Sequence, residues 1–142
     1  MTDYMKEIQK LYDEIQALRT IQTGGIWNNW TPTQTGWTAL PTGQYRYCMV
    51  GKLVSCAIYM SAGTSNSTEA TLTLPVPAAI NSPLYVITAI HVVDNGVLQT
   101  NPGRLLVGSF EQKIYMNKTF GGAGFTASGN KMIGGSFTYE AA

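Results

Sequence analysis

The sequence predicts an all-β protein, an antiparallel sandwich or jelly-roll-like knob, preceded by an N-terminal coiled-coil α-helix. Apolar residues recur at heptad spacing over residues 1–22, and seven or eight short strand-like stretches follow, separated by turn residues. With 142 residues, the chain has room for the helix and one domain of ordinary size. We therefore divide it into the helix at 1–22, a Gly/Trp-rich linker at 23–42 that packs against the knob, and a β-sandwich knob at 43–142.

The N-terminal segment carries the a/d pattern of a coiled coil. Its apolar side chains alternate at spacings of three and four residues, and after Met1 they are Tyr4, Ile8, Leu11, Ile15 and Leu18. A single helix of about 33 Å is marginal alone in water, so we expect partner helices to cover this narrow seam. The alternative is an amphipathic helix that folds back on its own domain.

The same heptad frame bears on the number of partner helices. Ile at a with Leu at d favours two parallel strands, so the seam alone does not decide between a dimer and a trimer. The frame also places Glu14 at a g position and Arg19 at the e position that Glu14 of a second helix would meet. It therefore predicts one ion pair between neighbouring helices.

Charge is concentrated in the helix, and the rest of the chain is nearly uncharged. Ordinary domains are about one quarter charged, whereas this chain is 12% charged and its body is rich in Thr, Ser, Asn, Gly and aromatic residues. Such a body suits extracellular or virion-borne β-proteins. The net charge of +1 without a basic cluster argues against nucleic acid as a partner. The chain has no run of eighteen apolar residues, and its N-terminus is charged, so we expect a soluble chain, made in the cytoplasm, without membrane insertion.

The segment after the helix combines glycines with three tryptophans. A helix that continued through Gly24 and Gly25 would lose conformational entropy, so we expect these glycines to form a hinge between the helix and the body. Trp27, Trp30 and Trp37 fall within eleven residues, and we expect them to pack at the junction of helix and sheet. Because aromatic faces also stack on sugar rings, a sugar-binding platform is the functional alternative.

A β-hairpin is predicted at 45–60, where Gly51 and Lys52 connect two strand-like arms. One face of the second arm is apolar and consists of Val54, Cys56, Ile58 and Met60. Cys48 and Cys56 lie on either side of the turn and need not face one another, so we interpret them as reduced strand residues. A disulfide across the hairpin is the alternative.

The remaining chain alternates between strands and turns. A polar loop is predicted at 62–68, a half-buried strand at 70–74 that stops at Pro75, and a central apolar strand at 84–93. Further strands are predicted at 97–100, 104–109, 111–117 and 132–139, with turns at 94–96 and 101–103.

Two features mark the C-terminal part of the body. The glycine-rich segment at 120–125 is predicted to be flexible. In the last strand, Phe137 and Tyr139 face one way and Thr138 the other, as the two-residue period of a strand requires.

No residue pattern in the chain predicts a catalytic, metal or nucleotide site. His91 is the only histidine, and without a nucleophile motif such as G-x-S-x-G we interpret it as a strand residue. Zinc needs three or four ligands at workable spacing and calcium needs clustered carboxylates, and neither pattern occurs. The glycines at 121–124 are not followed by the Lys and Ser or Thr of a phosphate loop. We therefore predict no metal and no cofactor.

The remote alternative is that the protein is a glycan-cleaving enzyme. Glycoside hydrolysis requires two carboxylates several ångströms apart. The body has few acidic residues, and they are well separated in sequence: Glu69, Asp94, Glu111 and Glu140. A glycan-cleaving knob would use a carboxylate such as Glu111, but we predict that the protein is not an enzyme.

The order of residues along the body has a counterpart in a known class. The chain reads G-I-W-N-N-W-T-P-T at 25–33 and then Gly36-Trp37, and a Tyr-rich strand runs into Val50-Gly51-Lys52. A Thr-rich strand ends at Leu74-Pro75, and the chain closes with G-S-F-T-Y-E at 135–140. This order resembles the small β-knob of tailed-bacteriophage virion fibre proteins.

That resemblance implies both an assembly and a function. In such fibres a short coiled coil that leads into a β-knob implies a homotrimer, here with residues 1–22 also docking onto other virion proteins. It implies a non-enzymatic virion structural protein, a short fibre whose knob attaches to host-surface glycans. A capsid-bound head fibre or decoration protein is the alternative. The candidate sugar-binding residues are Trp27, Trp30, Trp37, Tyr45 and Tyr115.

Overall fold

The computed structural model describes residues 3–22, 25–39, 41–66, 68–79, 86–108 and 112–142, without the side chains of 18–22, 62 and 86. The described elements are α1 (Asp3–Gln22), β1 (Asn28–Asn29), β2 (Gln34–Thr35), β3 (Trp37–Ala39), β4 (Thr42–Val50), β5 (Leu53–Ser65), β6 (Ala70–Thr73), β7 (Val86–Asp94), β8 (Val97–Leu98), β9 (Gly103–Gly108), β10 (Lys113–Asn117) and β11 (Asn130–Glu140). The protein is therefore an antiparallel β body that follows one N-terminal helix, as predicted.

Helix α1 exposes its apolar seam. Every described side chain from Asp3 to Ala17 is exposed, and these include Tyr4, Ile8, Leu11 and Ile15 of the predicted a/d positions. The side chain of Leu18 lies outside the described part of the chain. The body does not cover the seam over residues 3–17, so the folded-back alternative is wrong for this stretch. The coiled coil itself stays a prediction.

The strands form one curled sheet with the order β1-β4-β5-β11-β7-β9-β10-β6-β2, while β3 pairs with β5 and β8 pairs with β7. The curl brings the two ends of the sheet, at β1 and at β2, close together. The backbone N–H of Trp30 donates to the Tyr45 carbonyl oxygen of β4 at 3.0 Å, and its indole Nε1 donates to the Thr73 carbonyl oxygen of β6 at 3.3 Å. The residues after β1 therefore connect both ends of the sheet.

The hairpin prediction is confirmed. Val50 pairs with Leu53, and Gly51 supports the two-residue turn with a φ of 58°. The predicted apolar face of β5 is buried in full, and its residues are Val54, Cys56, Ile58 and Met60.

The register of the same hairpin explains why both cysteines are free. Cys48 pairs with Ser55, whereas Cys56 pairs with Tyr47. Directly paired residues share a face and neighbours in a strand do not, so the two thiols point to opposite sides of the sheet. Burial, with a smaller contribution from Cys48, raises the pKa of the Cys56 thiol to about 12.

The polar loop predicted at 62–68 is wrong in its first half. Strand β5 continues to Ser65, where β3 pairs with it, and Ser65 Oγ donates to the Thr126 carbonyl oxygen at 2.7 Å. The Trp37 ring lies directly over Gly63, since a Cβ there would be 2.9 Å from ring carbons. Tertiary pairing thus overrides the local turn preference of Ser, Thr and Gly.

The glycine-rich segment at 120–125 is hydrogen-bonded to its surroundings. The N–H of Lys118 donates to the Ala123 carbonyl oxygen at 2.9 Å, and that of Phe125 donates to the Thr68 carbonyl oxygen at 3.0 Å. The Phe125 side chain is buried in the core. The segment is thus a loop whose C-terminal end is anchored in the body, and its flexibility stays a prediction.

The central and final strands follow the prediction closely. Strand β7 lies between β11 and β9, although residues 84 and 85 of its predicted range are outside the described chain. Asp94 pairs with Val97, so the turn is shorter than predicted and consists of Asn95 and Gly96. In β11, Phe137 and Tyr139 are buried and Thr138 is exposed, as predicted.

Candidate binding groove

A groove of about 580 Å³ lies between β4 and the segment that crosses from β1 to β2. Its lining includes Asn29, Trp30, Thr31, Gln34, Tyr45 and Arg46. The groove exists because β1 pairs with β4 while β2 pairs with β6, so the residues between them span the two ends of the curled sheet. It combines aromatic rings, amides, a hydroxyl and one guanidinium.

Trp30 is held in place on three sides. Its ring makes edge-to-face contacts with Tyr45, at 5.7 Å between centroids, and with Tyr47, at 6.4 Å. Its indole N–H is used in the bond to the Thr73 carbonyl oxygen. The ring is partly buried and packs against the core, so it forms a rigid wall of the groove rather than a mobile surface side chain.

Tyr45 and Gln34 form the polar part of the groove. Gln34 Nε2 donates to the Tyr45 hydroxyl at 3.0 Å. Burial raises the pKa of Tyr45, and the hydrogen bond from Gln34 opposes that rise. Gly43 is required here, because a Cβ would lie 2.2 Å from the Tyr59 carbonyl oxygen and 3.1 Å from the Tyr45 hydroxyl. Among the described residues, no hydrogen-bond donor reaches the buried Gln34 Oε1.

Arg46 supplies the charge at the margin of the groove. Its guanidinium carbon lies 5.5 Å from the ring centroid of Trp27, a cation–π arrangement. Trp27 leaves 43% of its surface exposed, so the ring is accessible while the guanidinium orients it. No acidic residue lines the groove among the described residues.

Two of the five predicted sugar-binding residues line this groove, and a third contacts one of its lining residues. Trp30 and Tyr45 line it, and Trp27 stands beside it through Arg46. Trp37 is only 9% exposed and belongs to the core, so it cannot serve as an open platform. Tyr115 is half-buried in β10, opposite Leu106 of β9.

The sequence interpretation missed Gln34 and Arg46. Arg46 follows Tyr45 in a predicted strand, so period-two alternation placed it on the opposite face and gave no reason to join it to the tryptophans. Gln34 reaches Tyr45 only because the chain crosses between the ends of the sheet. No local pattern encodes that crossing.

Two of the other residues considered for chemistry, His91 and Asp94, lie in different environments on β7. The His91 side chain is exposed on β7, where it pairs with Gly134. Asp94 is buried in an ion pair with Lys131, and Glu111 lies outside the described chain. Among the residues that the structure describes, no group of three or more His, Cys, Asp or Glu could hold a metal ion.

Comparison with protein-family models, with curated proteins and with solved structures found no match. Helix α1 is too polar to cross a membrane, and the described residues contain no other helix that is long and apolar enough to do so. The groove and the exposed seam of α1 are the two features of the described chain that suggest a function.

Proposed function

We propose that the chain is a non-enzymatic bacteriophage virion protein, a homotrimeric short fibre whose β-knob attaches to glycans on the host surface. The observation that carries the proposal is the preformed groove in which Trp30 and Tyr45 stand beside Gln34 and Arg46. The sequence resemblance to phage fibre knobs supplies the context. Under this proposal the curled sheet is the sandwich-like knob of the fibre.

The lining of the groove suits a saccharide. Aromatic faces pack against the C–H faces of sugar rings, while amides, hydroxyls and guanidinium groups pair with sugar hydroxyls. Trp27 offers an exposed face for stacking, and Tyr45 and Arg46 supply polar groups among the residues that line the groove. Under this proposal each copy binds weakly, and attachment depends on several copies.

In this proposal helix α1 brings several copies of the chain together. Its seam residues Ile8, Leu11 and Ile15 are 45–56% exposed in the single chain, and a helix of this length is marginal without partners. We infer that three helices cover the seam in a parallel coiled coil, with Arg19 and Glu14 paired between copies. The stalk also docks onto other virion proteins and projects the knobs outward.

Cell binding tests the groove. Trp27→Ala removes the exposed ring that packs against Arg46 of the groove lining, and Phe120→Ala is the matched control because Phe120 is 49% exposed in a loop outside the groove. We expect Trp27→Ala to weaken binding to host cells about tenfold or more through lost stacking and avidity, with an unchanged melting temperature. Equal cell binding by both variants would remove the Trp27–Arg46 pair from the proposed binding surface.

The site on the particle needs a separate experiment. We expect gold-labelled antibody against the knob to mark the tail tip or baseplate of virions in electron micrographs. Label spread over the head would instead identify a capsid fibre or decoration protein. Label on neither would refute a virion role.

A further inference from the structure

A group of exposed apolar residues surrounds the point where the chain enters the body from α1. It consists of Ile26, Met49, Val50 and Leu53, which are 79%, 43%, 49% and 54% exposed. We call this group the stalk-proximal rim. Val50 and Leu53 pair with each other at the turn between β4 and β5. Met49 pairs with Val54 and so lies on the other face of the hairpin from Val50 and Leu53, which means that the group surrounds the hairpin end. Exposed apolar side chains gathered at one end of a body mark an interaction site.

The position of the rim relative to α1 follows from chain length. A Cβ on Gly25 would lie 2.7 Å from the Met49 carbonyl oxygen, so Gly25 contacts the end of β4 directly. Helix α1 ends at Gln22, and three residues of chain reach at most about 10 Å. Each rim therefore lies within a short distance of the C-terminal end of its own helix.

This tether determines what can cover the rim. In a coiled coil, neighbouring helix axes are about 8–10 Å apart, so the helix ends of all copies converge on one axis. Each helix end then brings its own rim to that axis. Resting on the homotrimer proposed above, we propose that the stalk-proximal rim is an interface between copies of this chain, a collar at which the three β4–β5 turns pack together.

The charges around the rim fit a second copy. Lys52 occupies the turn itself, and Glu140 of β11 pairs with Leu53 of β5. Both side chains are exposed and carry opposite charges, so one copy can present Lys52 to Glu140 of the next. Contacts in a three-fold ring are heterologous, so a surface with an apolar centre and one charge of each sign at its edge can bind the next copy head to tail.

Cross-linking of the full chain tests the interface. In a Cys48→Ser background the remaining native thiol, Cys56, is buried with a pKa of about 12 and reacts poorly with maleimides. Single cysteines are then placed at Leu53 in the rim, at Leu11 in the stalk, and at Leu98 as the control. Leu98 matches Leu53 in residue type and is 58% exposed.

The control lies at the opposite end of the body. Leu98 pairs with Val93, and Val93 pairs with Met132 near the start of β11. Leu53 pairs with Glu140, at the end of β11. Eight residues of strand separate these positions, which is about 26 Å. A short bis-maleimide that joins copies through the rim therefore cannot join them through Leu98.

We expect Leu11→Cys and Leu53→Cys to yield cross-linked dimers, and Leu98→Cys to yield none above background. If Leu11→Cys cross-links while Leu53→Cys behaves like Leu98→Cys, the collar is refuted and the proposed oligomer stands. If Leu11→Cys does not cross-link, the oligomer fails and the collar falls with it. As a second measurement, Leu53→Asp should raise the dissociation constant in sedimentation about tenfold relative to Leu98→Asp. Equal dissociation constants would overturn the collar.

Discussion

Asp94 and Lys131 face each other directly across β7 and β11, with Lys131 Nζ 2.7 Å from Asp94 Oδ1. Both residues are buried. Lys131 also donates to the Ser128 carbonyl oxygen at 2.6 Å, and Thr126 donates to Asp94 through its N–H at 3.2 Å and its hydroxyl at 2.9 Å. Lys118 Nζ approaches Asp94 at 3.4 Å. The cluster ties the loop before β11 to the end of β7.

The first prediction is that breaking this ion pair strongly destabilises the body. Lys131→Met leaves the Asp94 carboxylate buried with Lys118 as its remaining cationic partner among the described residues, and removing one member of a buried pair costs about 3–5 kcal/mol. Lys118→Met is the control, since the Lys118 side chain is 29% exposed and its pair should contribute about 1 kcal/mol or less. Urea unfolding at neutral pH measures both. Similar losses in the two variants would contradict the prediction.

The second prediction concerns acid. Burial raises the pKa of Asp94, but the hydrogen bonds from Lys131 and Thr126 and the Lys131 charge outweigh it, so the pKa is lowered below its ordinary value. A carboxyl group whose folded pKa is lowered stabilises the fold above its unfolded pKa, about 3.9, and this contribution is lost as pH falls through the folded value. We therefore expect the free energy of unfolding to fall below about pH 4.

Asp94→Asn provides the comparison for the acid prediction. It removes the titrating group, so its free energy of unfolding should depend less on pH below about 4 than that of the unmodified protein. Parallel pH profiles for the two proteins would show that Asp94 is not the group responsible.

The third prediction concerns Gly103, at the start of β9. A Cβ there would lie 2.3 Å from Val92 Cγ2 and 2.7 Å from the Asn117 carbonyl oxygen, so Gly103→Ala forces the backbone or core to shift. We expect a loss of about 1–3 kcal/mol, as in other overpacked cores. Gly121→Ala is the control because a Cβ there would come no closer than 4.0 Å to an atom beyond its chain neighbours, Thr119 Oγ1. Thermal unfolding of both variants measures the loss of stability, and equal melting temperatures would refute the prediction.

The parts of the fold that the sequence predicted are those fixed by neighbouring residues. The 45–60 hairpin needs only a turn at Gly51 and alternation along β5, so it was predictable with its buried face. The extension of β5 to Ser65 was not, because it depends on pairing with β3, and the local Ser, Thr and Gly residues favour a turn.

The groove was predictable only in its aromatic residues. Clustering of Trp27 and Trp30 in the sequence singled them out, but their separation from Trp37 comes from packing over Gly63. The bond from Trp30 Nε1 to the Thr73 carbonyl oxygen spans 43 residues of chain. Contacts of this kind create the groove, and neither composition nor periodicity carries information about them.

The last prediction concerns the seam of α1. Leu11→Ser removes an a/d side chain that is 56% exposed in the single chain and would be buried between helices. Burial of a leucine contributes about 2 kcal/mol, so each altered copy should weaken the oligomer by more than tenfold. Lys10→Ser is the control, because the Lys10 side chain is 78% exposed and lies at a c position, away from the a, d, e and g positions that face other helices. Sedimentation velocity over a range of concentrations should show Leu11→Ser dissociating first. If both variants sediment like the unmodified protein, or if that protein is a monomer throughout, the seam does not hold the copies together.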